Sequence, residues 1–226
     1  ELKKEVALHA SLTFKHITQL QGGCTTPPHV FLVLELAPLG SLFGLLHLGP
    51  QLADGSCAGT VPWEVKVAMV WDVAKAIEYL HMRGVVHRDL KSLNVLVFAG
   101  HCAKVCDFGL ARIKQTASTF GTAARPVGTY AWMAPEIVDS DPYTPADDVY
   151  SLGLIMYEVL SGRVPFHDKN GVQMMRAVTS GDRPAALPPL TEASPCGAAA
   201  LEELMRRCWA QNAGKRPIAK DVSADM

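Results

Sequence analysis

The stretch HRDLKSLNVLVFAGHCAKVCDFG, residues 87–109, joins a polar loop to two short apolar runs. Val95–Phe98 and Ala103–Cys106 have strand length and are separated by small and polar residues, so the spacing predicts a β-hairpin. Because the strands of a hairpin are antiparallel, their open ends meet, which brings Asn94 and Asp107 side by side. An amide oxygen and a carboxylate beside a cleft suit Mg²⁺, which takes one or two protein oxygens plus water and phosphate.

The loop before this hairpin carries further charges. Asp89 precedes Asn94 by five residues, and Lys91 lies between them. A carboxylate, a cation and a magnesium site in one short loop can orient the attacking oxygen and neutralise charge in a phosphoryl transfer. The alternative is a solvated loop with ordinary surface charges. Any one of these residues alone would favour that alternative, but the complete pattern at these spacings does not.

Three motifs in this order resemble the signature set of eukaryotic protein kinases. They are HRDLxxxN at 87–94, DFG at 107–109 and APE at 134–136. The resemblance implies an α+β, bilobal protein-kinase-like fold. Residues 1–35 would form a partial N-lobe, with the regulatory helix and hinge-proximal strands, and residues 36–226 would form the hinge and the helical C-lobe. It also implies ATP and Mg²⁺ as cofactors and proteins as substrates.

The resemblance implies a role for each catalytic residue. Asp89 would orient the substrate hydroxyl and accept its proton, and Lys91 would neutralise charge on the transferred group. Asn94 and Asp107 would hold Mg²⁺. Regulatory or structural roles would fall on Glu5, Arg88, Phe108, Gly109, Thr129, Glu136, Asp148 and Arg216.

Two of the structural roles are specific enough to check in a structure. Asp148 would hold the backbone of the catalytic loop, and Arg216 would bridge to Glu136. Glu5 would be the ion-pairing glutamate of the regulatory helix, with a solvated helix glutamate as the alternative.

The nucleotide site is expected where the apolar run 30–34 ends. Leu34 resembles the gatekeeper residue of the family, so the hinge would follow it. Nucleotide contacts would come from Glu35, Leu36, Ala37, Leu96 and Asp107.

The substrate class can also be predicted from the resemblance. Lys91, two residues after Asp89, and Thr129 are typical of serine/threonine kinases, whereas WMAPE at 132–136 looks tyrosine-kinase-like. The mixture resembles the tyrosine-kinase-like group, whose members mostly phosphorylate serine and threonine. Tyrosine specificity stays open as an alternative.

The resemblance also suggests a regulatory phosphate site. Arg88 would bind a phosphate on the activation loop, because arginine binds phosphate bidentately. Candidate acceptors are Thr116, Ser118, Thr119 and Thr122, for which ordinary polar loop residues are the alternative.

The chain departs from the family pattern at its start. No GxGxxG loop and no Val-Ala-Ile-Lys-type strand precede the first helix, and Lys3 and Lys4 lie beside Glu5 and cannot pair with it across a cleft. We therefore expect an N-terminally truncated kinase that is inactive as this chain alone. A pseudokinase or scaffold module is the alternative. A small-molecule kinase is disfavoured by the activation segment, 107–136, which binds peptide substrates.

Composition argues against several other classes. Hydrophobic residues make up 49% of the 226, enough for a sizeable core. A net charge of −1 without a basic run argues against nucleic acid as a partner. No segment reaches the roughly 18 apolar residues of a membrane span, and no signal peptide opens the chain. Six cysteines without a CxxC pair predict reduced thiols in a cytoplasmic protein. The oligomeric state cannot be inferred.

Hydrophobic periodicity predicts the remaining elements. Helices are expected at 1–12, 41–47, 64–82, 147–160 and around 201–208, and strands at 17–20 and 30–34, with a turn at 22–28.

His9 stands where the family places an apolar residue toward Phe108, and we interpret it as a hydrogen-bonded core histidine. His16 replaces a commoner asparagine. Zinc binding by Cys102 and Cys106 is disfavoured, since zinc ligand pairs are normally closer in sequence.

Overall fold

The fold is built from eight helices and three pairs of short strands within the residues described by a computed structural model. These are residues 2–26, 28–48, 61–108, 112–113, 127–138, 142–187, 191 and 194–226; the side chains of 2–5, 112–113 and 127–129 lie outside the description. The helices are α1 (Leu2–Ser11), α2 (Leu42–His47), α3 (Trp63–Met82), α4 (Pro135–Val138), α5 (Pro145–Ser161), α6 (Gly171–Thr179), α7 (Ala198–Cys208) and α8 (Ala219–Ala224). The strands are β1 (Leu20–Cys24), β2 (Phe31–Leu34), β3 (Val85–Val86), β4 (Val95–Val97), β5 (Ala103–Val105) and β6 (Arg112–Ile113).

Helix α5 lies at the centre of the fold because it is apolar on nearly every side. Its residues from Asp147 to Val159 are all buried. Thr144 caps its start in a capping box with Asp147, and Gly162 ends it with a φ of 65°. The predicted buried helix at 147–160 is therefore confirmed.

Close packing between α5 and α7 requires a glycine at position 153. A Cβ on Gly153 would lie 3.0 Å from the Cβ of Cys208 and 3.3 Å from the carbonyl oxygen of Met205. The absence of a side chain thus lets the two helices approach along a shared buried surface.

Helix α3 packs against α5, α8 and β5, and it confirms the amphipathic helix predicted at 64–82. Val70, Val73, Ile77 and Leu80 on its inner face are fully buried. No helix in the described part of the chain is both long and apolar enough to cross a membrane.

The strand predicted at 17–20 is wrong, because the paired strand β1 begins only at Leu20. Residues just before it pair with β5 instead: Ile17 forms an isolated parallel bridge to Val105, and the Thr18 N–H donates to the Val105 oxygen at 2.9 Å. The expected turn also begins later, since Gly23 pairs with Leu32 in the β1–β2 ladder.

The hairpin predicted from residues 95–106 is confirmed, with each strand one residue shorter than expected. Val95 pairs with Val105 and Val97 with Ala103. The turn uses Gly100 at a φ of 70°, a conformation that glycine adopts without strain. A further pair, β3 with β6, was not predicted; it joins the segment before the HRD motif to Arg112–Ile113.

Candidate active site

The open end of the hairpin is closed by a backbone hydrogen bond. The N–H of Cys106 donates to the carbonyl oxygen of Asn94 at 2.9 Å, and Asp107 follows directly. The two predicted metal ligands therefore flank one hydrogen-bonded pair of chain segments. Asp107 is exposed, so its carboxylate can meet a ligand in solvent.

The catalytic-loop residues are held together by their side chains. The Nδ2 of Asn94 donates to the backbone oxygen of Asp89 at 2.9 Å and to its Oδ2 at 3.0 Å. Lys91 Nζ donates to the same Oδ2 at 2.8 Å. The side chains of Asp89 and Lys91 are only 11% and 13% exposed. The alternative of a solvated loop is therefore wrong.

This arrangement fits a magnesium ion. Both hydrogen bonds of the Asn94 amide use Nδ2, which leaves Oδ1 as the atom able to ligate a cation. Together with the Asp107 carboxylate it supplies hard oxygen donors of the kind that Mg²⁺ prefers. When bound there, Mg²⁺ would neutralise charge on the phosphates of a nucleotide.

The buried carboxylate of Asp148 holds the backbone of the catalytic loop at its first two residues. Its Oδ2 accepts from the His87 N–H and from His81 Nε2, each at 2.9 Å, and its Oδ1 accepts from the Arg88 N–H at 2.9 Å. Burial alone would raise the pKa of Asp148, but the hydrogen bond and charge of His81, with help from His87, hold that pKa below its usual value. The carboxylate is thus kept ionised in the core, as the predicted role requires.

The backbone at the site is strained in two places. Arg88 has a φ of 72° and Asp107 a φ of 63°, in the left-handed region that side chains other than glycine avoid. Such strain persists only where the surroundings enforce it. The Asp148 carboxylate supplies that constraint at Arg88.

Tilted ring contacts support Phe108 of the DFG motif. Phe108 is 1% exposed and contacts His9 and His87, whose ring centroids lie 4.7 and 5.4 Å from its own. His9 Nε2 donates to the Thr18 oxygen at 2.6 Å, so its interpretation as a hydrogen-bonded core histidine is confirmed. His87 Nδ1 accepts from the Asp89 N–H at 3.3 Å, which makes Nε2 the donor to the Cys106 oxygen at 3.0 Å.

The segment that follows the predicted hinge lies against the first strand of the hairpin. Ser41 forms a bridge to Leu96, and the Val97 N–H donates to the Gly40 oxygen at 2.8 Å. Leu96 lies in β4, and Asn94 directly precedes that strand. The predicted adenine contact Leu96 and the predicted metal ligand Asn94 therefore lie close together in the chain, next to residues 40–41.

Within the hinge, the structure limits how Glu35 can contact a nucleotide. Its side chain pairs with Lys104 Nζ at 2.7 Å, and its backbone N–H donates to the Gln19 oxygen at 3.0 Å. Only the backbone carbonyl of Glu35 is then suited to accept a hydrogen bond from adenine. Leu36 is 85% exposed, and the carbonyl of Ala37 accepts from the Gly40 N–H.

The predicted pair of Arg216 and Glu136 is present and includes a third residue. Arg216 Nη2 donates to Glu136 Oε2 at 2.8 Å, and Asp147 Oδ1 lies 4.0 Å from Nη1. Burial is the largest cause, and a hydrogen bond with Glu136 adds to it, so that together they raise the pKa of Asp147 to about 8. Burial would also raise the pKa of Glu136, but Arg216 and Asp147 hold it low. Protonated Asp147 is thus the donor, and Glu136 carries the charge.

Sequence reasoning missed a buried carboxylate that links three segments to α5. Glu158 is 0% exposed; its Oε1 accepts from His47 Nε2 at 3.0 Å and Ser92 Oγ at 2.7 Å, and its Oε2 from Trp132 Nε1 at 2.8 Å. The available signal was a lone acid in an apolar helix, which must find partners when buried. Ser92 lies in the catalytic loop, so Glu158 helps to position it.

Comparison with known proteins identifies the family. A family model described as the protein kinase domain matches residues 1–225. The chain belongs to the protein kinase domain family. Its α+β arrangement of helices and small sheets is the kinase fold.

The kinase chain is also similar to individual proteins. It is 35% identical over 223 residues to the serine/threonine-protein kinase STY46 of Arabidopsis thaliana, covering 98% of this chain and 36% of STY46. The Arabidopsis serine/threonine-protein kinase CTR1 is 36% identical over 96% of this chain, which spans 25% of CTR1. The Arabidopsis serine/threonine/tyrosine-protein kinase HT1 is 33% identical over 99% of this chain, which spans 53% of HT1.

Several predicted kinase residues lie outside what the structure describes. These are the side chains of Glu5 and Thr129, all of Gly109, and the candidate phosphate acceptors Thr116, Ser118, Thr119 and Thr122. The guanidinium of Arg88, the predicted phosphate ligand, lies over the ring of Tyr143 with 5.2 Å to the centroid.

Proposed function

We propose that the protein containing this chain transfers the γ-phosphoryl group of ATP to serine and threonine hydroxyls of protein substrates in signalling. The observation that carries the proposal is the Asp89 carboxylate, which Lys91 and Asn94 hold at 2.8 and 3.0 Å beside the exposed Asp107. Phosphoryl transfer depends mainly on positioning and charge neutralisation, and this cluster is equipped for both.

Each residue has one task in this proposal. Asp89 accepts a hydrogen bond from the substrate hydroxyl and takes its proton as the oxygen attacks phosphorus. Lys91 stabilises negative charge on the equatorial oxygens of the transferred group. Asn94 and Asp107 hold Mg²⁺, and Asp148 positions the loop without touching substrate.

ATP would bind with its adenine at the hinge, against Ala37 and Leu96. The division into a partial N-lobe over 1–35 and a hinge and C-lobe over 36–226 remains our proposal. The 226-residue sequence contains no GxGxxG motif and no Val-Ala-Ile-Lys motif. We therefore propose that the 226-residue chain alone binds ATP weakly and transfers no phosphate, whereas the protein in its full length does both.

A cytoplasmic location is part of the proposal. Among the described cysteines, Cys24, Cys102, Cys106, Cys196 and Cys208 are all free thiols, which fits a reducing compartment. Protein substrates and ATP are the partners we propose, and nucleic acid is not among them.

Dual specificity is the second candidate. The relative HT1 carries serine, threonine and tyrosine in its name. WMAPE at 132–136 also looks tyrosine-kinase-like. Tyrosine phosphorylation by this protein would therefore change the substrate class while leaving the catalytic cluster in place.

The test is phosphoryl transfer from labelled ATP to a generic protein substrate by the full-length protein, with identification of the labelled amino acid. We expect label on serine and threonine that requires Mg²⁺. Label on tyrosine as well would select the second candidate. If the protein bound no nucleotide and transferred no label, a scaffold role would replace catalysis. The 226-residue chain serves as the matched inactive control.

A further inference from the structure

Three potential metal ligands converge at the turn end of the β4–β5 hairpin, opposite the candidate active site. His16 lies in the loop after α1, Asp72 on α3, and Cys102 just before β5. One ligand atom from each lies within 4.8 Å of the other two. The imidazole Nδ1 of His16 is 3.3 Å from Asp72 Oδ1 and 3.9 Å from Cys102 Sγ.

These distances suit one tetrahedral ion. Zinc bonds of about 2.0–2.3 Å at tetrahedral angles separate nitrogen, oxygen and sulfur ligands by about 3.3–3.7 Å. The His16–Asp72 separation already matches this range and the His16–Cys102 separation exceeds it by a few tenths of an ångström, while the Asp72–Cys102 separation, within 4.8 Å, would shorten by at most about 1.5 Å. A thiolate, an imidazole and a carboxylate together favour Zn²⁺ over Mg²⁺ or Ca²⁺, which prefer oxygen ligands alone.

The existing hydrogen bonds preorganise two of the ligands. Asp72 Oδ2 accepts from the Ala103 N–H at 2.8 Å, which turns Oδ1 toward the imidazole. His16 Nδ1 has the Ala103 carbonyl oxygen at 3.2 Å and Asp72 Oδ1 at 3.3 Å. One proton on Nδ1 cannot bond well to both oxygens, whereas an ion in its place interacts with nitrogen and carboxylate together.

Burial and charge are compatible with a metal. His16 is 3% exposed and Asp72 8%, while Cys102 is half-buried, so the cluster is open on one side. A bound ion would displace the protons of its ligands, and Asp72 and Cys102 in their ionised forms would then balance the two charges of Zn²⁺. Two cations lie nearby: Lys104 is paired with Glu35 at 2.7 Å, and Lys15 is exposed.

We propose that His16, Asp72 and Cys102 form a Zn²⁺ site with three protein ligands and water in the fourth position. The ion would join the loop after α1 to α3 and to the hairpin turn. It lies on the far side of the hairpin from Asn94 and Asp107, so its role is to stabilise this junction.

The test uses Co²⁺ as a spectroscopic probe of the full-length protein, purified with reductant and stripped of metal. Thiolate ligation to tetrahedral cobalt gives a charge-transfer band and intense visible bands. We expect one such site, and displacement of cobalt by Zn²⁺. Cys102→Ser and His16→Asn should each weaken binding more than about 100-fold, because even outer-shell partners of a metal are worth about 10–100-fold.

The control is Cys196→Ser, which removes an exposed thiol elsewhere and should leave the spectrum unchanged. Zn²⁺ should also raise the unfolding temperature of the wild-type protein and of the control, but not of Cys102→Ser. The proposal is overturned if the wild-type protein shows no thiolate–cobalt band, or if Cys102→Ser keeps it. In either case Asp72 and His16 serve only as hydrogen-bonding partners of Ala103, and Cys102 only as a contact of His16.

Discussion

Replacement of Asp148 with asparagine tests how the catalytic loop is held. The wild-type carboxylate accepts three hydrogen bonds, two on Oδ2 and one on Oδ1. Asparagine can keep an oxygen facing His87 and His81, but its amide nitrogen then faces the N–H of Arg88. Two donors oppose each other in a site from which water is excluded.

The cost follows from these contacts. One charge-assisted hydrogen bond is lost, worth about 1.5–3 kcal/mol, and one buried N–H is left unsatisfied, which costs about 1–3 kcal/mol. The two terms overlap, so we expect a loss of about 2–5 kcal/mol in the free energy of unfolding. At about 2–4 °C per kcal/mol for a domain of this size, the unfolding temperature should fall by roughly 4–20 °C.

Urea and thermal unfolding measure this loss, with Asp182→Asn, an exposed acid, as the control. Because the folded pKa of Asp148 lies below its ordinary 3.8, its contribution is present above that value and is lost as pH falls through the folded pKa. The gap between wild type and Asp148→Asn should therefore close in acid. A loss below about 1 kcal/mol at neutral pH would refute the reasoning.

Three further substitutions test other parts of the structure. The folded pKa of Asp147 is about 8 and its ordinary value is 3.8, so the free energy of unfolding of the wild type should fall as pH rises between these values. Asp147→Asn mimics the neutral carboxyl and should flatten that slope in urea unfolding. An unchanged slope would contradict a protonated Asp147. Gly153→Ala should destabilise by about 1–2 kcal/mol through its clash with α7, whereas Gly44→Ala, with ordinary space in α2, should not; equal effects would argue against the close packing. Glu158→Gln places an amide against Trp132 Nε1, so it should lower the free energy of unfolding by about 1–3 kcal/mol and should also lower kcat. No change in either quantity would show that the Glu158 network does not position the catalytic loop.

The hairpin and the catalytic loop could be predicted because their signals are local. Short apolar runs with a glycine between them specify the hairpin, and the hairpin alone brings Asn94 toward Asp107. The buried helix α5 was similarly evident from its apolar sequence. Its single acid, Glu158, marked a polar network, but the partners lie 26 to 111 residues away and could not be found from spacing.

The failures have a common physical cause in tertiary pairing. The segment 17–20 has strand character, yet Ile17 and Thr18 pair with β5, and the ladder with β2 takes the glycine-rich residues that follow. The cluster at His16 likewise joins three segments far apart in sequence. Local sequence pattern carries no information on contacts between segments that are far apart in the sequence.

The central claim is that the Asp89 carboxylate carries the chemical step. The most direct test is Asp89→Asn in the full-length protein, with ATP affinity and phosphoryl transfer measured on the same preparation. Asparagine keeps the side-chain shape but cannot take a proton. We predict that transfer falls about 10²–10⁴-fold, the usual contribution of a general base, while ATP affinity stays within about twofold. Transfer at the wild-type rate by Asp89→Asn would contradict the proposed mechanism.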